Sequence, residues 1–502
     1  MGTGMNSRAI QGDLYGLARQ NTLEGLMNNL SIGGSARRGS EWEQIGNGYN
    51  IANVQNRFNG NGWQISNASD GYNQFGSDVF GRYGNLYQQS SFANVLGTNQ
   101  FGGDAMQIGP WNWAGFDQAG ANGDLYQEGL LNGAYTVNNF NGEATQYGLL
   151  NDFSVYGDFD GSYYGESTGL NNFYTGGNFQ NNGQASLIGP SNVFGIGGNL
   201  LQNLHQTGGS RNEAALNLAG IYGNVDGNLI QDGINPDYYN LQKLNASGIW
   251  GNLNGNATLG GENMVNLFGV GGDISGNARL GGTGNLNLGY VGGNLGGNLR
   301  FSGNDNLNLL SVGGNVPQAT LNGSNNLHWL SAGSIDQLNA RGNGNIGSVW
   351  STDDIFNTTI SGNGNTYDIS TGGALRDVQL NAQNSNVSLT EYNVWPGTQD
   401  SNAYLYGNNN TVAYNSYGNT NNNYYLGDNQ YTQINDAGGD NAYYVQDATG
   451  TIYINDAGGA GVLHADGLRT FTRSDGTVIA WSPIGNQGPM TFVRATGVTL
   501  NQ

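Results

Sequence analysis

Two adjacent carboxylates, Asp353 and Asp354 in the string STDDIF, have the residue types a general acid and its partner need. Such a pair can protonate a leaving oxygen and activate an attacking group at a glycosidic bond. A second acidic set, Asp436, Asp440, Asp447 and Asp456, lies toward the C-terminal end. Calcium takes about six to eight oxygen ligands, and these four could supply some of them; the plainer reading is solvated turn acids. The three histidines, His205, His328 and His464, fall in separate segments, and the chain has no cysteine. No Ser/His/Asp grouping is visible, and STDDIF has neither lysine nor histidine nearby, so the chain reads as a non-enzyme. Arg37 and Arg38 belong to a basic N-terminal stretch, Arg469, Arg473 and Arg494 to a basic C-terminal one, and the long middle is acidic. Basic ends against an acidic body favour contacts between copies, which gives Arg37 and Arg38 an expected role in assembly.

The elements that must position these residues repeat. A Gly (once Asn), an Asn or Asp and an apolar residue recur about every 20 positions, the length of one repeat coil. Copies stand at Asn138-Asn139-Phe140, Gly157-Asp158-Phe159, Gly177-Asn178-Phe179, Gly198-Asn199-Leu200, Gly223-Asn224-Val225 and Gly251-Asn252-Leu253. The motif continues at Gly272-Asp273-Ile274, Gly293-Asn294-Leu295 and Gly314-Asn315-Val316. Weaker copies precede it at Gly84-Asn85-Leu86, Gly103-Asp104-Ala105 and Gly123-Asp124-Leu125. A second ladder consists of Asn285, Asn306, Asn326, Asn345, Asn365, Asn386 and Asn410, each beside a Gly/Asn turn. Val270, Val291 and Val312 keep the same phase, and INDAGG occurs twice, at 434–439 and 454–459.

Short alternating runs such as TYDIS and TIYIN, joined by Gly/Asn turns, are strands rather than helices. Coils of two or three such strands predict a parallel β-solenoid, in which matching positions stack about 4.8 Å apart. Asn at a repeated turn can adopt the left-handed region and bond to the Asn above and below, while Gly supplies positive φ at corners. His328 falls in the rank of Asn287 and Asn308, so its expected role is structural. Arg279 and Arg300 occupy equivalent positions and should both point outward, because stacked like charges repel. The tyrosines crowded between 404 and 453 are expected to stack along the solenoid's surface.

Composition narrows the partners. With 88 glycines but 37% hydrophobic and 11% aromatic residues, the chain has enough apolar content to fold. A formal charge of −21 disfavours nucleic acid and anionic membranes. No stretch approaches the roughly 18–20 apolar residues of a membrane helix, and the N-terminus lacks the pattern of a Sec-type signal.

The string NDAGGDNAYYV resembles the Gly/Asp nonapeptides of the repeats-in-toxin family, although the strict GGxGxD tandem is missing. That resemblance implies a calcium-binding β-roll; the Cys-free, acidic, Gly/Asn-rich composition is also similar to that of surface-layer proteins. STDDIF resembles the polygalacturonase family in its Asp-Asp dipeptide alone.

The resulting expectation is an all-β parallel β-solenoid of about 20-residue coils over residues 46–467. A short helical N-terminal segment would occupy 1–45, from the spacing of Ile10, Leu14, Leu17, Ala18, Leu23, Leu26, Met27 and Leu30. A non-repetitive β segment would occupy 468–502, with a hairpin at Ser474-Asp475-Gly476. The expected function is a secreted, extracellular, self-assembling structural protein of a surface layer, filament or matrix fibre, acting as a homo-oligomer or polymer. A polysaccharide-binding adhesin or tailspike is the alternative, and a β-helix lyase or hydrolase the third reading. Calcium is the one cofactor suggested.

Overall fold

Short runs that alternate inward and outward residues, each closed by a Gly/Asn turn, can only bury their apolar sides against the next run of the same kind. The computed structural model shows this stacking throughout. It describes all residues except 1–3, 23–25, 121–122, 181, 202–203, 209–215, 227–228, 234–242, 263, 393–400, 419–420, 446–449, 483–490 and 502. In 204–208, 229–233, 243, 257 and 259 only the backbone is described. The chain is a parallel β-solenoid without a helix among the described residues. It divides into two units, Met1–Gly255 and Asn256–Gln502.

Each coil of the first unit contributes one strand to each of two parallel sheets. One sheet runs from Leu17–Thr22 through Glu41–Gly46, Asn61–Ser66 and Asn85–Ser90 to Leu229–Gly233. The other runs from Met5–Ile10 and Met27–Ile32 to Lys243–Ile249. A third ridge is made of single bridges: Phe140, Phe159, Phe179, Leu200, Val225 and Leu253 pair in succession and are fully buried. These are the apolar members of the Gly–Asn–apolar motif, and burying each such side chain contributes roughly 1.5–3 kcal/mol. The copies at 84–86, 103–105 and 123–125 belong elsewhere: Asn85, Asp104 and Asp124 stack on one another in the first sheet, and Asp124 pairs with Glu143.

Two buried amide ladders run inside this unit, and the sequence motifs did not mark them. Asn28, Asn50, Asn73, Asn94, Asn112, Asn132, Asn151, Asn171, Asn192, Asn217 and Asn245 each donate from Nδ2 to the Oδ1 of the next, at 2.8–2.9 Å. From Asn28 to Asn171 the same Nδ2 groups also donate to a backbone carbonyl of a strand in the first sheet, as Asn132 does to Tyr147 at 2.8 Å. The second ladder joins Gln20, Gln44, Gln64, Gln88, Gln107, Gln127 and Gln146 at 2.6–2.9 Å. Tyr163 closes it by donating to Gln146 Oε1 at 2.7 Å. Buried amides are tolerated because each finds a partner.

The N-terminal helix over 1–45 is not found. Met5–Ile10, Leu17–Thr22 and Met27–Ile32 are strands of the first coils, so the solenoid begins well before residue 46. Gln20 and Asn28 point inward, which hides the apolar alternation. Leu14 bridges to Ala36 at a corner, and Leu17 and Leu26 face outward. Leu23 lies outside the described residues.

The second unit repeats the plan, with Val270, Val291 and Val312 in one column as expected. Arg279 and Arg300 are paired neighbours and both exposed. The C-terminal hairpin exists: Arg469–Thr472 pairs antiparallel with Val478–Trp481, and Gly476 has φ 82°. The segment after it is not a separate cap. Thr491–Thr496 and Val498–Asn501 return to the solenoid as a further coil, parallel to Gly450–Asp456 and Gly461–His464, while Val478–Trp481 lies antiparallel on Thr491–Thr496.

Candidate functional site

The two turn ladders use a side-chain oxygen of asparagine or aspartate to accept a backbone N–H from a neighbouring coil. In the Gly–Asn–apolar rank, Asp158 N donates to Asn139 Oδ1 at 2.9 Å and Asn178 N to Asp158 Oδ1 at 2.7 Å; Asn199, Asn224 and Asn252 continue the series. The preceding Gly is required by this packing: a Cβ on Gly198 would meet Asn178 Oδ1 at 2.6 Å and on Gly314 would meet Asn294 Oδ1 at 2.2 Å.

Asn285, Asn306, Asn326, Asn345 and Asn365 form the predicted column, all buried. Their partners differ from the expected side-chain chain. Backbone N–H groups of Asn285, Asn306, Asn326 and Asn345 donate to the Oδ1 of the next Asn at 2.8–2.9 Å. The left-handed residue is the one before the ladder Asn, at Asp305, Asn325, Asn384 and Asn409. Asn386 is not a member. Ser385 takes that rank, accepting from Asn365 N and donating its own N–H to Asn410 Oδ1, and Asn386 is exposed between Thr366 and Thr411. A serine oxygen performs the same capping, so the slip by one residue was invisible in sequence. Asn410 continues to Asn429.

Asp354 sits in the capping rank: Oδ1 accepts from Ala374 N at 2.7 Å and Oδ2 pairs with Arg376 at 3.1 Å. His328 ends the buried series Asn266, Asn287, Asn308, accepting from Asn308 Nδ2 at Nδ1 over 3.1 Å. Burial pushes its imidazole down to about 4, so it stays neutral in this role. The side chain of His205 lies outside the described residues.

Asp436 and Asp456 fall in one column, as the INDAGG copies require, and both point inward. Tyr424 OH donates to Asp436 Oδ2 at 2.6 Å, and Tyr443 OH to Asp456 Oδ2 at 3.0 Å. Asn422 Nδ2 bridges Asp436 Oδ2 at 3.1 Å and Glu391 Oε1 at 3.0 Å, and Tyr414 OH lies 3.5 Å from Glu391 Oε2. Asp440 faces solvent and caps Ala460 N at 3.0 Å, so it does not converge with the other two. Asp447 lies outside the described residues. Among the described residues no three acidic or histidine side chains converge as metal ligands.

Burial raises the Asp436 carboxyl to about 6 and also raises Asp456. The folded state therefore binds these protons more tightly than the unfolded chain, whose aspartate titrates near 3.8. For Asp436 the stabilising effect is full below about pH 4 and is lost as pH rises through about 6, worth on the order of 3 kcal/mol. Glu391, Asp456, Tyr414, Tyr424 and Tyr443 face the same cluster. Denaturant midpoints measured from pH 4 to 8 should fall across this window in the wild type and change less in Asp436→Asn.

The tyrosine-rich region splits in two. Tyr414, Tyr424 and Tyr443 are buried. Tyr404, Tyr425, Tyr444 and His464 form an outer stack with ring centroids 4.6–4.8 Å apart, as the surface-stacking expectation required. Arg37 is engaged within the chain by Asp13 at 2.6 Å, and Arg38 lies over the Tyr83 ring at 4.3 Å.

Each unit carries exposed aromatics, at turns that follow its strands, that the sequence reading missed. In the first unit Tyr156 and Tyr222 are each 63% exposed and Trp250 61%, with Tyr222 and Trp250 stacked at 4.6 Å. In the second unit Tyr392 and Tyr417 follow their strands at the same kind of turn, are exposed, and stack at 5.5 Å. Each donates its backbone N–H to the residue ending the equivalent strand one coil earlier, as Tyr222 does to Ile196 and Tyr417 to Glu391.

Fold, capping ranks and amide columns together define a parallel β-solenoid repeat protein. No family model matches the chain, and no curated protein or solved structure does.

Proposed function

We propose that the protein is an extracellular structural subunit that self-assembles side by side into a layer, filament or matrix fibre. The observations that support this most are the stacked pairs of exposed aromatics, Tyr222–Trp250 in one unit and Tyr392–Tyr417 in the other. Single exposed aromatics are ordinary, but contiguous rows of them mark interaction surfaces. Burying such rows against another copy supplies association energy without any pocket or cofactor. The stiffness such a role needs comes from in-register coils tied by buried amides. No catalytic role is proposed for Asp353-Asp354, because the Asp354 carboxylate is held by Ala374 N and Arg376.

Sedimentation velocity and electron microscopy of the full chain test the reading. The wild type should shift to larger species with concentration, while the double variant Tyr222→Ser, Trp250→Ser should remain at the smallest. Equal behaviour of the two overturns it. The same series run with and without calcium tests whether Asp436, Asp440, Asp447 and Asp456 bind the ion. Arg37→Glu with Arg38→Glu tests the basic N-terminal contact. Polysaccharide binding is a second reading, and it rests on a different surface.

A further inference from the structure

Outward residues of the first sheet make two parallel columns, two positions apart along each strand and hence about 7 Å from one another. One column is acidic, with Asp104, Asp124 and Glu143 on successive coils. The other is mostly aromatic, with Trp63, Tyr87, Met106 and Tyr126 on successive coils. Between them lies an open groove of about 350 Å³ that crosses five strands.

The groove exists because the tyrosines lean away from it. Tyr87 OH donates to Gln89 Oε1 and Tyr126 OH to Glu128 Oε2, both at 2.9 Å, each partner lying two residues further along its own strand. The same bond recurs one turn past the groove, between Tyr164 and Glu166 at 2.9 Å. The rings are thus fixed before any ligand arrives, and one side of each is turned to the furrow. The opposite wall holds unneutralised charge: none of the five strands carries lysine or arginine. Burial and the neighbouring Asp124 charge raise the Asp104 carboxyl, as expected of stacked acids without a counter-ion.

The floor decides what kind of chain can lie there. The strands at Asn85–Ser90, Asp104–Ile108 and Asp124–Glu128 are each paired on both sides, so no backbone group is left for an added peptide strand. Recognition must come from side chains alone: stacking on one wall and positive charge on the other. A pyranose ring offers an apolar C–H face to an aromatic wall, and an amine at carbon 2 offers an ammonium to a carboxylate. In a β-1,4 chain each sugar advances by about one strand spacing and successive rings are turned over, so the amines on one side recur at every second sugar and meet alternate carboxylates of the column. We propose that this groove binds a linear polysaccharide of unacetylated 2-amino sugars, lying across the strands with its sugar rings against Trp63, Tyr87 and Tyr126 and the amines of alternate sugars toward the acidic column of Asp104, Asp124 and Glu143. The acidic wall excludes uronic-acid and sulfated polymers by repulsion. Individual contacts on this open surface are weak, and affinity accrues from several coils acting together.

Calorimetric titration of the full chain with a β-1,4-glucosamine pentamer tests this. Binding should be saturable, fall with added salt, and be at least about tenfold weaker for the N-acetylated pentamer and for pentalysine, which carry only part of the pattern. Tyr126→Ala and Asp124→Asn, both outward and each in a strand paired on both sides, should keep the wild-type melting temperature and weaken binding at least about threefold each. Absence of binding overturns the proposal, as does equal binding of the N-acetylated sugar or of pentalysine, or unchanged affinity in both variants. None of these readouts depends on self-association.

Discussion

Asn151→Asp is expected to unfold the first unit at neutral pH and to recover part of its stability in acid. Asn151 is 1% exposed and donates from Nδ2 to Asn171 Oδ1 at 2.8 Å and Glu166 O at 2.9 Å, while its Oδ1 accepts from Asn132 at 2.9 Å. A carboxylate there would turn an oxygen toward two acceptors and bury a charge without a counter-ion. The cost should reach about 3–5 kcal/mol, the range found when a buried charge loses its partner. Burial raises the new carboxyl's titration point, so the folded state takes up a proton more readily than the unfolded chain, and stability returns as pH falls. Asn151→Leu should cost less than the charged variant but show no such recovery, since it takes one acceptor from Asn132 Nδ2 and the donor from Asn171 Oδ1 at every pH. Exposed Asn141→Asp should move stability by no more than about 0.5 kcal/mol. Denaturant unfolding followed by circular dichroism at pH 7 and pH 4 separates the three. Equal midpoints for Asn151→Asp at both pH values would contradict the ladder.

Gly323→Ala should be among the most damaging methyl additions in the second unit. Gly323 has φ 117°, and a Cβ there would sit 1.6 Å from the Gly303 carbonyl oxygen and 2.6 Å from Asn326 Nδ2. The contact recurs along the column, at Gly303 on Gly282, Gly342 on Gly323 and Gly362 on Gly342, so the backbone cannot shift without moving its neighbours. Strain and clash together should exceed about 3 kcal/mol. Gly364 has φ 67° but open space around its Cβ position. Gly364→Ala should cost only the left-handed penalty of about 1–2 kcal/mol. Gly364→Asn should cost less still, because Asn325, Asn384 and Asn409 already hold that turn position with positive φ. Urea midpoints of the full-length variants give the ranking, and near-equal losses for Gly323→Ala and Gly364→Ala would remove the close-approach argument.

The Gly323 column and the capping ranks show why the solenoid was legible in the sequence. Close approach at a corner admits only Gly, and capping of the next coil admits Asn, Asp or Ser, so both kinds of site recur as strings that can be aligned by eye. The interior amides left no such trace. Asn50, Asn73 and Asn94 lie inside strands whose other residues vary, and a polar residue at an inward position reads as an outward one. The same effect produced the helical reading of residues 1–45, where Gln20 and Asn28 break the apparent alternation. Asp436 and Asp440 were read together from the NDAGGDNAYYV string, and sequence could not show that Asp436 turns inward to Tyr424 while Asp440 faces solvent. The acidic and aromatic walls of the groove were unreadable because Asp104 and Asp124 had been aligned with the wrong rank, and which columns lie side by side depends on where each coil turns.

The amide columns of the first unit run in opposite senses. Asn28 donates toward Asn50 and so on up the chain, whereas Gln44 donates back to Gln20 and Gln146 back to Gln127. Bonds within each column polarise one another, so each acts as a small electrical axis along the stack. Over the coils that carry both columns the two axes point opposite ways and largely cancel; past Gln146 the asparagine column continues alone to Asn245, so an electrical direction is left only in the later coils of this unit.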